Sequence, residues 1–196
     1  MAIDATVIFG GAFDMVGNHH CRVMVELSNS FEKVVVYPCG PRQDKPGVNL
    51  TEPGHRLAML TLAVQSLHRA NIVIEDYDIR HDTFSFTETI DRRFEHKAWH
   101  AVGTDLILGG HKNEALIQHW KDGARFWREA SFAVITRAGA KINADDLPPH
   151  SWIFDLQLKG ASSDVKELIL AGRPFEQFIP AEVAAYIKQH HLYGYK

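Results

Sequence analysis

Ala5 to Phe9 is a short apolar run that stops at Gly10-Gly11 and passes into a helical stretch from about His19 to Leu27. A run this short, with no polar alternation, fits a strand buried on both faces. The same strand-then-helix order recurs along the chain. Lys33 to Pro38 reads as a second strand, followed by a loop rich in Pro, Gly and charge. Thr51 then stands where an N-cap is expected, with Pro53 in the first turn of a helix that lines up Leu57, Leu60, Val64 and Leu67. Ile72 to Glu75 is a third strand, Ser85 to His96 helical, and Ala101 to Leu108 a fourth strand. A helix around Glu114 to Ala130 precedes strands at Phe132 to Thr136 and Trp152 to Leu156. Helices at Ser163 to Ala171 and Ala181 to Leu192 close the chain. Such alternation dictates an α/β fold with a mainly parallel sheet and helices on both faces. No repeat or long linker divides it, so residues 1–196 are expected to form a single domain. Ligands on such sheets bind beyond the carboxyl ends of the strands.

Composition narrows the partners. Lys plus Arg is 21 and Asp plus Glu is 24, a formal net charge of -3, so no broad basic field for nucleic acid is present. Any anion must be gripped locally. No apolar stretch reaches the length of a membrane span. Cys21 and Cys39 form neither a disulfide framework nor a zinc spacing, and the 12 histidines show no metal-ligand pattern with Cys or carboxylate support. The start MAIDATVIFGG lacks the regions of a signal peptide. Together with reduced thiols this gives a cytoplasmic expectation.

Two loop-to-helix junctions carry chemistry. In GGAFDMVGNHH, Gly10 and Gly11 let a ligand approach the backbone closely, and the helix that begins near His19 or His20 offers free N–H groups to a phosphate. The same residues also make an ordinary tight turn. In GASSDVKELILAG, Ser162 and Ser163 either cap a helix or donate to a phosphate, and Lys166 adds a positive charge one turn in.

GGAFDMVGNHH resembles the GGTFDPxHxGH signature of nicotinate-nucleotide adenylyltransferases, within the wider nucleotidyltransferase superfamily. Gly10, Gly11, Phe13, Asp14 and His20 fall on matching positions. Met15 replaces the proline, Gly17 stands at the first histidine, and His19 at the glycine. His19 and Asn18 are the two residues able to substitute for the missing histidine. The second junction resembles the family's SSTxIR motif, with Ser162, Ser163, Val165 and Lys166 on its second Ser, Thr, Ile and Arg, and Ala161 in place of the first serine. Lysine keeps the charge of that arginine without its bidentate fork.

The resemblance covers nearly the whole chain. Lys45 falls near a lysine that many members place by the phosphates. Asp105, in Gly-Thr-Asp after the fourth strand, resembles the family's GAD aspartate. Trp120 and Arg137 match the spacing of the substrate-stacking tryptophan and the RPG arginine, with Ala138 for the proline; Trp120 equally suits a helix core. Thr87 and Thr89 both stand in a segment that resembles the one touching the nicotinate ring.

The resemblance implies a Rossmann-like nucleotidyltransferase fold and adenylyl transfer from ATP to nicotinate mononucleotide, giving deamido-NAD and pyrophosphate. ATP would be held by Gly10, Gly11, Phe13, His20, Lys45, Ser162, Ser163 and Lys166, with His20 and Lys166 acting on the reacting phosphates. Thr87, Thr89, Asp105, Trp120 and Arg137 would bind the acceptor. Mg²⁺ would enter with ATP, bridging its phosphates and needing few protein ligands. Two alternatives stand beside it: transfer to another phosphorylated small molecule, or nucleotide binding by a degenerate site.

Overall fold

A computed structural model describes residues 3–42, 50–139 and 142–196. Six strands, β1 (Ile3–Gly11), β2 (Phe31–Pro38), β3 (Ile72–Ile74), β4 (Trp99–Gly103), β5 (Ser131–Arg137) and β6 (Ser151–Leu158), form one sheet in the order β3-β2-β1-β4-β5-β6. Every pairing is parallel. Helices α1 (Asn18–Ser30), α2 (Pro53–Ser66), α3 (Tyr77–Arg80), α4 (Thr87–Arg93), α5 (Gly123–Glu129), α6 (Ser162–Leu170) and α7 (Ala181–Gln189) connect them. The expected α/β Rossmann-like architecture is present.

Side-chain alternation along the strands explains why both faces are covered. On β2, Val34 and Val36 enter a large apolar cluster, while Val35 and Tyr37 enter another on the opposite side. On β5, Ala133 and Ile135 join the large cluster, and Phe132 and Val134 join a third. The large cluster packs Met24 and Leu27 of α1, Leu60 of α2, Ile169 of α6 and Val183 of α7. Ile90 of α4 and Phe126 of α5 cover the other face. Each such fully buried side chain contributes about 1.5–3 kcal/mol.

Three of the differences from the sequence expectation have a clear packing reason. The fourth strand ends at Gly103, and Thr104–Leu106 is a 3₁₀ turn whose Thr104 carbonyl accepts the Ile107 N–H. Ile107 is fully buried there, which accounts for its apolar, strand-like sequence. The expected helix from Glu114 to Ala130 is two pieces, a 3₁₀ turn at Leu116–His119 and α5. At the break, Asp122 has a left-handed φ of 57°, and a Cβ on Gly123 would lie 2.2 Å from the Ile117 carbonyl oxygen, so the chain turns where only glycine fits. Thr51 is not the cap of α2; that position belongs to Glu52. The Thr51 backbone is instead used on both sides, its N–H donating to Asp14 and its carbonyl accepting from Arg56.

Candidate active site

In this strand order the sheet reverses direction of growth between β1 and β4, and a crevice opens at their carboxyl ends. Gly10 and Gly11 end β1 at that crevice, paired with Tyr37 and Pro38. A Cβ on Gly10 would find no atom nearer than 3.9 Å, so its cleft-facing side is open.

The chain then enters α1 with Gly17 as N-cap. The Gly17 N–H donates to Nδ1 of His20 at 3.1 Å, which leaves Nε2 as the protonated nitrogen of a neutral ring. Burial first, then the neighbouring His19 and Arg137, push the His20 pKa down to about 3. His20 therefore stays neutral at pH 7 and is set as a hydrogen-bond donor. Phe13 is 2% exposed and meets the His20 ring edge-on at 5.4 Å. The structure thus places Phe13 beneath His20 as a support.

The second junction lies against the first. The Ser162 hydroxyl donates to the Met15 carbonyl at 3.0 Å. Ala161, not a serine, is the N-cap of α6, and its N–H donates to the Asp164 carboxylate at 3.1 Å. Ser163 is exposed at the same helix end. Lys166 donates to Asp14 Oδ2 at 2.7 Å and lies 5.0 Å over the Tyr193 ring. One of its three N–H donors is thus taken by a carboxylate. Asp14 is 7% exposed and also accepts the Tyr193 hydroxyl at 2.7 Å and the Thr51 N–H at 3.2 Å. Burial alone would raise its pKa; the bonds from Lys166, Thr51 and Tyr193 outweigh it and leave the pKa lowered. Lys45 lies outside the described residues.

The residues expected at the acceptor divide into two groups. Thr87 and Trp120 line a cavity of about 620 Å³ together with Gly10, Gly11, Tyr37 and His100. Arg42 and Lys121 bring positive charge to it, over the Phe84 and Phe86 rings at 5.8 and 5.7 Å. Thr89 is not among the residues that line it. Asp105 and Arg137 sit elsewhere, as an exposed pair 3.5 Å apart at the ends of β4 and β5. The charge of Arg137 reaches His19 and His20, so this pair belongs to the histidine side of the crevice.

Three groups that sequence reasoning did not single out position the site. Arg56 of α2 is 1% exposed and donates to the carbonyls of Ala12, Cys39 and Thr51 at 2.7, 2.8 and 3.1 Å. It ties the loops after β1 and β2 to one helix. Asp78 is fully buried and accepts from Tyr37 Oη, Ser85 N and Ser85 Oγ at 2.9, 2.7 and 2.6 Å, fixing the cavity wall. Asp91, also buried, accepts from His100 at 2.9 Å and contacts His96 under the cavity floor. Their partners are distant or ordinary in sequence, and no local motif announces them.

The family model described as cytidylyltransferase-like matches residues 8–177, which include both junctions and the cavity. The chain belongs to the cytidylyltransferase-like family. Among members resembling it, a protein of Leifsonia xyli named probable nicotinate-nucleotide adenylyltransferase is 28% identical, covering 95% of this chain and 92% of its own. One of the same name from Kineococcus radiotolerans is 29% identical, covering 94% and 88%. The solved nicotinic acid mononucleotide adenylyltransferase of Plasmodium falciparum, complexed with NaAD, has the same fold, with a TM-score of 0.83, 21% identity and 98% of each chain covered. Among the described residues, no helix is long and apolar enough to cross a membrane, and no group of three or more His, Cys, Asp or Glu could hold a metal ion.

Proposed function

We propose that this chain transfers AMP from ATP to nicotinate mononucleotide, forming deamido-NAD and pyrophosphate, a step of NAD biosynthesis carried out in the cytoplasm. The observation that carries this reading is the Ser162 bond to Met15, which sets two helix N-termini side by side at the end of the sheet where the cavity lined by Thr87 and Trp120 opens. The names of the relatives support the choice of acceptor.

In this reaction an oxygen of the acceptor phosphate attacks the α-phosphorus of ATP. The bond from that phosphorus to the bridging oxygen breaks, and pyrophosphate leaves. The nucleophile is already anionic, so no activated side chain and no covalent enzyme intermediate are needed. The protein's work is in-line positioning and stabilisation of charge. Neutral His20 donates from Nε2 to the phosphates as negative charge shifts toward the leaving group. The N–H groups at the start of α1 and α6, with Ser163, hold the phosphate chain. Lys166 keeps the Asp14 carboxylate neutralised beside it. Asp105 and Arg137, an ion pair on the histidine side of the crevice, are assigned to the acceptor's ribose and phosphate in this reading. Trp120 offers an indole face to the pyridine ring, and Thr87 a hydroxyl. Mg²⁺ would enter with ATP and would neutralise part of the phosphate charge.

The test is a matrix of pyrophosphate release, with ATP or CTP against several phosphorylated acceptors including nicotinate mononucleotide and its amide. Release with ATP and nicotinate mononucleotide in clear preference supports the reading. Preference for another acceptor replaces the substrate and keeps the chemistry. ATP binding with no release for any acceptor would make the chain a nucleotide-binding protein.

A further inference from the structure

The signature that this chain resembles carries imidazoles at the positions of residues 17 and 20, and here residue 17 is glycine. The space is not empty. A Cβ built on Gly17 would lie 2.7 Å from both Cε1 and Nδ1 of His19. The His19 ring therefore occupies the volume in which a residue-17 side chain would begin. It lies 4.0 Å from the His20 ring, centroid to centroid, at a tilt of 42°.

The surroundings of His19 locate it in the crevice. The charged groups that act on it are Arg137 at the end of β5 and Asp164 in the first turn of α6. His19, in the first turn of α1, is thus within electrostatic reach of the first turn of α6 and of the end of β5. Burial and Arg137 hold its pKa below the usual histidine value, against the opposing pull of Asp164, so it too is neutral at pH 7. Asn18, the other polar residue in this turn, is exposed, and its amide already donates to the Gln177 carbonyl at 3.0 Å.

We propose that His19 is a catalytic residue that replaces the missing first histidine, reaching the reacting phosphates from two positions later in the turn. The glycine at 17 and the histidine at 19 are then a single exchange in two parts: one residue gives up its side chain to make room for the other. The proposal rests on the adenylyl-transfer reading above. It adds that the chain has a complete pair of phosphate-facing imidazoles on consecutive residues.

The test compares His19→Ala, His19→Asn, Gly17→His and the double variant Gly17→His/His19→Gly with the wild type, each checked for an unchanged melting curve. His19→Ala should lower kcat about 10²–10³-fold, the usual effect of one donor aimed at developing charge, with the acceptor KM within about threefold. His19→Asn keeps an N–H donor and should recover part of the loss, and it carries the comparison if the alanine variant is unstable. Gly17→His alone should be poor because two imidazoles claim one volume. The double variant restores the signature register and should recover kcat to within about tenfold of wild type. A His19→Ala kcat within about threefold of wild type would overturn the proposal. So would a double variant no better than His19→Ala. If the wild type makes no deamido-NAD, the substrate reading fails, and His19 is judged separately by NMR of the imidazole Cε1–H signals on adding ATP and Mg²⁺. Shifts in both His19 and His20 uphold the placement; a shift in His20 alone overturns it.

Discussion

The Lys166 ammonium donates to Asp14 Oδ2 at 2.7 Å, joining residues 152 positions apart. This ion pair ties the loop after β1 to α6, and Lys166 is also the residue for which the family resemblance implies contact with the triphosphate. Lys166→Ala should cost about 1.5–3 kcal/mol of folding stability, the range for a hydrogen bond to a charged group. A double-mutant cycle with Asp14→Asn, followed by urea unfolding, should show non-additivity. Additive effects would mean that the pair contributes nothing.

The same pair makes a pH prediction. The Asp14 pKa is lowered in the folded protein. Its contribution to stability is therefore present above the unfolded aspartate value and is lost as pH falls through the lower folded value. Asp14→Asn should flatten the stability profile on the acid side, below about pH 4. An unchanged profile there would remove Asp14 as a source of acid sensitivity.

His20 acts in the same protonation sense and the same direction in pH, although its favoured form is the neutral one and that of Asp14 the charged one. Its folded pKa is depressed to about 3, so below the ordinary histidine pKa the unfolded chain binds a proton that the folded chain refuses. Stability should fall as pH drops from about 6.5 toward that value. NMR titration of the free protein should show no protonation of His20 near pH 6. A His20 that titrates normally would contradict its role as a neutral Nε2 donor.

Arg56 is buried against three backbone carbonyls, one of them in the Gly10–Asp14 loop. Arg56→Met should leave these acceptors unsatisfied and cost about 3 kcal/mol. ATP affinity should fall with it, because the loop loses its tie to α2. Calorimetry on the folded variant checks this; full ATP affinity would show that the loop holds its shape unaided.

Trp120 lines the cavity shared with Thr87 and also packs against the apolar cluster that holds Phe126. Trp120→Ala should raise the KM of nicotinate mononucleotide far more than that of ATP. Thr87→Val should act in the same direction and Thr89→Val should not, since only Thr87 reaches the cavity. Equal changes for both substrates would make Trp120 a structural residue.

The strand-helix alternation and both glycine- and serine-containing junctions are legible in the sequence because their signals are local. Apolar runs such as Lys33 to Pro38, and Gly10-Gly11 before a helix, report on their own neighbourhoods. What stays hidden depends on distant partners. Nothing around Lys166 shows that Asp14 will neutralise it, and nothing around Asp78 shows that Tyr37 and Ser85 will surround it. The break before α5 was hidden because the reason for Gly123 is a carbonyl six residues earlier, that of Ile117. Gly17 and His19 read as two mismatches in sequence; only the packing of the His19 ring over Gly17 links them.

The most direct measurement is a rapid-quench single turnover with ATP labelled at the α-phosphorus, excess enzyme and saturating nicotinate mononucleotide. The account predicts that the label passes into deamido-NAD in step with one equivalent of pyrophosphate, with none trapped on the protein, and that His20→Ala binds ATP but forms the dinucleotide far more slowly. Label released as free AMP, label bound covalently to the protein, or ATP bound and unchanged would contradict it.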